Sequence, residues 1–444
     1  MTTIGDAFAL SDTVVDCTIS RGREMVTMAQ PSRRWPVDAM SEPFKDVETA
    51  RTITMPMAMR YAVRVNITGP NDAPGPMRYD PRTQISAFGG DPAKMTGGQD
   101  RGAHTRESSP HDQLLILTAA NDLHANALIR ELRDRCPDLG VIRINTDCLP
   151  TNLDYSFHWT ASGDLESQVL TTLDSGITAK NVKVVWYRKP DVPPPHPALT
   201  HPIAQKCSVL EYQEFLRSFV GLFPEARWVN DYWQMQRYST KANQIKIAKQ
   251  AKLAVPETII TNRLSDVRAL ASRHAEIIHK TMYFRHFRWR DGGFACFTNL
   301  LTQDELSRLT DADVRYAPAI YQQRIQKTRE LRVTVVGERV FACEIQSQHD
   351  TLDGLDWRVD NFGEQLPHAA VDIPRELEQK LIEVLRLMGL NFGTFDLIQD
   401  ASGTYYFIEV NPNGQYYRFE RKTGLKITSA MVDLIVTLAA AAEA

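Results

Sequence analysis

Apolar positions along the chain fall into two regimes that meet at Gln113. From there they are ordered. Leu114-Leu115-Ile116-Leu117-Thr118 is a short apolar run that reads as a buried strand, Asp122-Leu123-His124 opens a helix that continues to Arg135, and Gly140–Asn145 is again a strand. The segment therefore begins as a βαβ unit. A meander around Tyr155–Trp159, a strand Val182–Tyr187, a proline-rich loop Lys189–Pro197, an amphipathic helix Glu211–Leu222 and a strand end at Trp228-Val229-Asn230 follow. Together they predict an α/β domain of ordinary size.

From Tyr238 the pattern changes. Helices are predicted over Thr240–Ala251 and Ser265–Arg273, with strands at Val255–Ile260 and Ala275–Lys280. A loop Arg290-Asp291-Gly292-Gly293 precedes Phe294–Thr298, and strands follow at Ala319–Arg324, Glu330–Val336 and Arg339–Ile345, the last two joined by Gly337-Glu338. Helix Arg375–Met388 leads to a hairpin of Phe392–Gln399 and Tyr405–Val410 about the turn Asp400–Gly403, and a last helix runs over Ile427–Ala442. No internal repeat and no heptad pattern is present.

Residues 1–112 show no sustained period. They hold 10 of the chain's 24 prolines and 9 of its 23 glycines. Such a segment buries too little apolar surface to offset the entropy of ordering, so it is expected to be largely disordered. Its most structured pieces are expected near Arg60–Ile67 and Tyr79–Ala87, where short alternating runs occur. The remaining composition mainly excludes. A length of 444 residues allows two or three domains, and a net charge of −3 gives no whole-chain argument for nucleic acid or a membrane surface. Cys17, Cys136, Cys148, Cys207, Cys296 and Cys343 lack metal-binding spacing, so reduced thiols in a cytoplasm are expected. No apolar stretch is long enough for a bilayer, and the N-terminus lacks the basic-then-apolar order of a signal peptide.

The terminal hairpin carries the most informative chemistry. Strand side chains alternate faces, so a short loop at Ala401–Gly403 puts Asp396 and Glu409 on one face, opposite or diagonal, with Asn411 sharing that face if the strand continues. Two carboxylates and an amide oxygen among apolar neighbours suit a hard cation such as Mg²⁺, which shares its ligands with phosphates. A solvated strand face accounts equally well for one Asp and one Glu. Lys241 at a helix start and Lys280 at a strand end are suited to the phosphates of a nucleotide triphosphate, although surface lysines are usually only solvated. Gly292 and Gly293 permit backbone N–H groups to approach phosphates. Glu330-Leu331-Arg332-Val333-Thr334 alternates so that Glu330 and Arg332 share a face, and Arg332, with Arg358 in a following loop, is a candidate to neutralise charge on a transferring phosphoryl group. An exposed ion pair is the plainer alternative for each.

Taken in order, Lys241, Lys280 with its glycine loop, Tyr321-Gln322-Gln323, Glu330-Leu331-Arg332, Asp396 and Glu409-Val410-Asn411-Pro412-Asn413 resemble the ATP-grasp superfamily over Gln113–Ala444. Val184–Pro190 (VVWYRKP), Trp228-Val229-Asn230, Lys252–Thr261, Asp356-Trp357-Arg358 and Asn413-Gly414-Gln415 bring the resemblance closer to the microviridin-type (graspetide) peptide ligases. The resemblance implies an α/β ATP-grasp fold with a pre-grasp domain at 113–236, a central subdomain at 237–328 and a C-terminal subdomain at 329–444. It implies that Lys241 and Lys280 contact ATP phosphates, that Gln322, Gln323 and Ile325 line the adenine pocket through their backbone, and that Asp396, Glu409 and Asn411 hold Mg²⁺ beside Arg332. The implied reaction joins an Asp or Glu side chain, activated as an acyl phosphate, to a Thr or Ser hydroxyl as an ester or to a Lys amine as an amide.

Residues 58–112 resemble the leader and precursor peptides of such ligases, with Arg78-Tyr79-Asp80-Pro81 and Gln84 as the leader-like marks. Thr96, Thr105, Ser108 and Ser109 are candidate donors beside the candidate acceptors Asp91, Asp100, Glu107 and Asp112. An unrelated flexible extension is the alternative, as residues 1–57 are taken to be. The expected partner is thus a ribosomal precursor peptide, in cis or in trans, and the enzyme is expected to be a homodimer. Tethering in cis replaces a bimolecular encounter by an effective concentration that reaches about millimolar. Two other functions fit the same residues: a ligase adding free amino acids to a protein or small-molecule carboxylate, which needs no leader, and a non-catalytic ATP-binding regulatory protein.

Overall fold

The computed structural model describes residues 62–65 and 112–442, apart from 164, 174–176, 179–180, 283–285, 290–291, 348–354 and 356–365. Its strands are β1 (Ala62–Val65), β2 (Gln113–Thr118), β3 (Gly140–Asn145), β4 (Leu153–Trp159), β5 (Leu165–Thr172), β6 (Ile177–Thr178), β7 (Val182–Lys189), β8 (Arg227–Trp228), β9 (Thr258–Thr261) and β10 (Ile277–Thr281). They continue with β11 (His286–Trp289), β12 (Gly292–Cys296), β13 (Asn299–Leu301), β14 (Ala319–Gln323), β15 (Lys327–Val336), β16 (Arg339–Ile345), β17 (His368–Val371), β18 (Phe392–Asp400) and β19 (Tyr405–Asn411).

The apolar run of β2 is continuous because both of its faces are covered, as in any parallel sheet flanked by helices. The strand order is β3-β2-β7-β8, all parallel. Leu115 and Leu117 pack with Ile142, Ile144 and Phe219 on one face, whereas Leu114 and Ile116 pack on the other with Trp186 and with Ile427, Met431 and Ile435 of the last helix. That helix, Ile427–Ala441, thus returns the chain's end to the first domain. The helix Leu123–Arg135 starts where expected because the Asp122 carboxylate accepts the His124 N–H and caps it. Helix Pro202–Leu222 begins earlier than its predicted start at Glu211. Its first half leaves Ile203 and Leu210 exposed, so no core-facing stripe announces it.

A small antiparallel sheet, β13-β10-β14-β9, encloses a separate core of Val267, Leu270, Ile277, Leu301, Val314 and Tyr321. Two short helices on it, Gln303–Arg308 and Asp311–Arg315, each begin with a reciprocal capping box, Thr302 with Glu305 and Thr310 with Asp313. Strand β14 stops at Gln323, one residue short of its predicted end at Arg324, so Ile325 lies beyond it. Gly292 and Gly293 correct the sequence reading more sharply. They open β12, paired with Trp289 and Arg288 of β11, rather than forming a loop. Glycine is the residue that lets a neighbouring backbone approach closely inside a sheet as well as in a turn. The outer edge of β12 pairs antiparallel with β1, in the register Ala62 to Cys296 and Val65 to Gly293.

The third large unit is the antiparallel sheet β17-β16-β15-β18-β19. Leu331, Val333, Val335, Phe395 and Leu397 face the main core, shared with Leu377, Leu381 and Leu385 of helix Arg375–Met388. Among the described residues no helix is long and apolar enough to cross a membrane.

Candidate active site

Strands β15, β18 and β19 lie side by side, and their register puts Arg332 opposite Asp396 and Asp396 opposite Glu409. The row depends on an irregularity. The pairing shifts after Asp396, so that Leu397 faces Phe407 and Ile408 is the extra residue of a bulge. Without it Phe407 and Glu409 would share a face; with it Phe407 and Val410 both enter the core while Glu409 turns to the polar side. The bulge is how one strand serves a core and a charged row at once.

Each carboxylate in the row has its own cation. Arg332 Nη1 donates to Asp396 Oδ1 at 2.6 Å, and both residues are 8 % exposed. Lys241 Nζ donates to Glu409 Oε2 from the first residue of helix Lys241–Gln250. One turn later Gln244 fastens that helix to the strand: its Nε2 donates to the Val410 carbonyl at 2.7 Å and its Oε1 accepts the Val410 N–H at 3.1 Å. Asn411 stands opposite Thr394, and its Oδ1 accepts the Asn413 N–H at 2.9 Å. Beside the row, Glu330 is buried and accepts from Lys327 at 2.5 Å and from Ser347 at 2.6 Å. Cys343, opposite Arg332 on β16, has its thiol pushed up to about 12, chiefly by burial, which keeps it a thiol rather than a nucleophilic thiolate.

Two carboxylates and an amide oxygen are a donor set that fits a hard divalent cation. Among the described residues no cluster of three His, Cys, Asp or Glu forms a fuller cage. This matches Mg²⁺, which takes one or two carboxylates and completes its shell with water and phosphate oxygens.

The residues expected to face a nucleotide gather on the small sheet. Lys280 Nζ donates to Gln322 Oε1 at 2.9 Å, and Gln322 Nε2 donates to Thr258 Oγ1 at 2.8 Å. Gln323 donates its N–H to the Glu257 carbonyl at 2.8 Å. The structure thus brings Arg332, Asp396, Glu409 and Lys241 into one row and puts Lys280 with Gln322 on a second sheet. Arg358, the leader-like residues 78–84 and the candidate cross-link residues from Asp91 to Ser109 lie outside the described residues. Asp112 does not behave as a free acceptor: it accepts from Asn181 Nδ2 at 2.6 Å, and its carbonyl accepts the Gly140 N–H, which builds it into the first domain.

Sequence reasoning missed Gln244 and a buried group in the first domain, Asp122, His124, Arg188 and Asn230. Arg188 and Asn230 sat inside the quoted VVWYRKP and WVN stretches, and a polar residue ending an apolar strand was their only local signal. Burial, followed by the nearby Arg188 charge, pushes the His124 ring down to about 4.

Residues 113–236 match the family described as the MvdD pre-ATP-grasp domain, and residues 239–435 match the RimK-like ATP-grasp domain. A RiPP-associated ATP-grasp ligase of Chryseobacterium gregarium, solved with ADP and a leader and core peptide, is 24% identical with a TM-score of 0.64 over 73% of this chain and 97% of that one. The macrocyclase MdnC of Microcystis aeruginosa, solved with the precursor peptide MdnA, is 22% identical with a TM-score of 0.63 over 73% and 99%. Among curated proteins, beta-citrylglutamate synthase B of Danio rerio is 22% identical over 124 residues, 28% of this chain and 29% of that protein.

Proposed function

Residues 113–236 and 239–435 of this chain are a pre-ATP-grasp and an ATP-grasp domain, and on that premise we propose that the protein is an ATP- and Mg²⁺-dependent ligase that cross-links a leader-bearing peptide. The observation that carries the reading is the row Arg332, Asp396, Glu409, Lys241, in which two adjacent buried or half-buried carboxylates on one sheet face are flanked by a cation on either side. Buried ion pairs are weak contributors to stability. This row is better explained as two carboxylates for a cation and two cations for phosphate oxygens. Fold similarity to ligases solved with leader and precursor peptides supports the peptide as substrate.

Asp396, Glu409 and Asn411 hold Mg²⁺ in this reading, and the ion, when bound, neutralises charge on the β and γ phosphates. Lys241 and Lys280 bind and orient the triphosphate, and Arg332 stabilises the transferring phosphoryl group. An Asp or Glu side-chain carboxylate of the peptide attacks the γ-phosphorus and ADP leaves, giving an acyl phosphate. A Thr or Ser hydroxyl, or a Lys amine, then attacks the acyl carbon, phosphate leaves, and the nucleophile's proton is released. Arg358 is proposed as a further contact to the transferring group.

The antiparallel pairing of β1 with β12 supports the N-terminal segment as the peptide, docked in cis. Intact-mass measurement of the full chain with ATP and Mg²⁺ tests this, since each ester or amide removes one water, about 18 Da. Deleting residues 1–112 should abolish that loss, and the same peptide supplied separately should lose water instead. A mass gain with free amino acids, unaffected by the deletion, would favour the second reading, for which the similarity to beta-citrylglutamate synthase B speaks. No ADP release with any peptide or amino acid defeats both.

A further inference from the structure

The backbone that follows Asn411 is held largely by side chains from the first domain. In an irregular, partly buried segment each buried N–H and C=O needs a partner, and here many of the partners are named side chains. Asn411 Oδ1 accepts the Asn413 N–H, and the Asn411 carbonyl accepts the Gly414 N–H at 3.1 Å. The Pro412 carbonyl accepts from Asn230 Nδ2 at 2.8 Å, the Asn413 carbonyl from Arg188 Nη1 at 2.7 Å, and the Gln415 carbonyl from Arg332 Nη2 at 3.5 Å. The N–H groups of Tyr416 and Tyr417 both donate to His124 Nε2, at 3.0 and 3.1 Å. Gly414 presses on Thr394 so closely that a Cβ there would overlap the Thr394 side chain.

These three first-domain residues have little freedom of their own. Asn230 uses its full amide capacity. Its Oδ1 accepts the N–H groups of Asn391 and Phe392 at 2.8 and 3.0 Å, and its Nδ2 donates to the carbonyls of Phe392 and Pro412. One side chain therefore ties the start of β18 to the end of β19, the two strands that carry Asp396 and Glu409. His124 is confined to one tautomer, because Nδ1 faces Asp122 Oδ1 at 3.1 Å and Nε2 must accept. Arg188 is 1% exposed and lies 3.6 Å from Asp122 Oδ2.

We infer that His124, Arg188 and Asn230 are positioning residues for the cation site, fixing the loop after Asn411 and through it the Asn411 amide, so that the first domain sets the affinity for Mg²⁺. This rests on the metal assignment proposed above. A general packing role lowers the melting temperature without selecting among ligands. A positioning role changes the requirement for the ion more than the affinity for nucleotide alone, as partners behind a metal ligand do.

The test uses the full chain, with ADP binding measured against free Mg²⁺ and, as a reference, in EDTA. His124→Phe should raise the half-saturating Mg²⁺ about tenfold or more and leave binding in EDTA unchanged. His124→Gln, which offers a carbonyl oxygen in place of Nε2, should recover most of the loss. Asn230→Asp is isosteric but loses both donors, and should act like His124→Phe. If His124→Phe does not fold, Arg188→Lys answers the same question while keeping a charge beside Asp122. An unchanged Mg²⁺ requirement in these variants, or parallel losses with and without Mg²⁺, overturns the inference. Asp396→Asn separates the two levels: if it too leaves the Mg²⁺ requirement unaltered, the metal assignment itself is wrong.

Discussion

On one face of the five-stranded sheet Leu331, Val333, Phe395 and Leu397 are fully buried in apolar surroundings. One residue along each strand, Glu330, Arg332, Thr334, Thr394 and Asp396 are nearly as buried on the other face, yet all are polar. Burial alone does not distinguish a core from a site; the chemistry of what is buried does. Each apolar side chain on the first face contributes about 1.5–3 kcal/mol by leaving water. The charges on the second face give back in desolvation much of what their pairing gains. A sheet selected only to fold would not keep them.

The largest effect should come from making the two faces alike. Replacing Arg332 and Asp396 together by Met and Leu removes a buried ion pair and leaves no orphaned charge. Such replacements are neutral or stabilising by about 1–4 kcal/mol. Turnover, on the proposed reading, should fall by about 10³-fold or more, since both the phosphoryl-facing cation and a metal ligand are gone. Urea unfolding and peptide mass loss measured on the same sample decide it. A double variant that keeps both its stability and its turnover would show that this pair takes no part in the chemistry.

The converse change is made one residue away. Leu397→Ala empties part of the apolar face and should cost about 2–5 kcal/mol of stability. The folded fraction should keep its turnover, because Leu397 does not face the charged row. A loss of activity exceeding the loss of folded protein would mean that the faces are coupled more tightly than alternation alone allows.

How far each face was legible follows from how local its signals are. The hairpin could be read because Asp396 interrupts an apolar strand and Gly403, at φ +86°, makes the turn that sets its register. Helix Arg375–Met388 was read to the residue because its apolar stripe is complete and Gly389 ends it. The bulge at Ile408 is less legible: Phe407 and Glu409, two residues apart, call for opposite faces, but nothing local says at which residue the strand takes up the extra position. Gly292 and Gly293 predict a loop where a strand forms, because glycine punctuates turns and open edges alike. Thr302 with Glu305 and Thr310 with Asp313 carry the spacing of helix starts in the sequence itself. His124, Arg188 and Asn230 could not be assigned, because the backbone atoms they bind lie more than 150 residues further along the chain.

The smallest expected effect concerns the boundary between the domains, where His124 is buried as a neutral acceptor. Its ring titrates near 4 in the fold, chiefly because burial disfavours its charge, against 6.5 for the free side chain. Between those values the unfolded chain binds a proton that the folded chain does not. Stability is therefore fully present above about pH 6.5 and falls as the pH drops towards 4. His279, pushed down to about 4 by burial, acts in the same direction, while the half-buried Asp191 and Glu420, whose carboxyls desolvation raises, act in the opposite one. A difference between variants isolates His124 from these. His124→Gln should reduce the slope of unfolding free energy against pH, between 6.5 and 5, by up to about 1.4 kcal/mol per pH unit, the value of one proton. Identical slopes for the two proteins would mean that the His124 ring takes up its proton without leaving the loop, and that the contact between the domains is softer than its hydrogen bonds indicate.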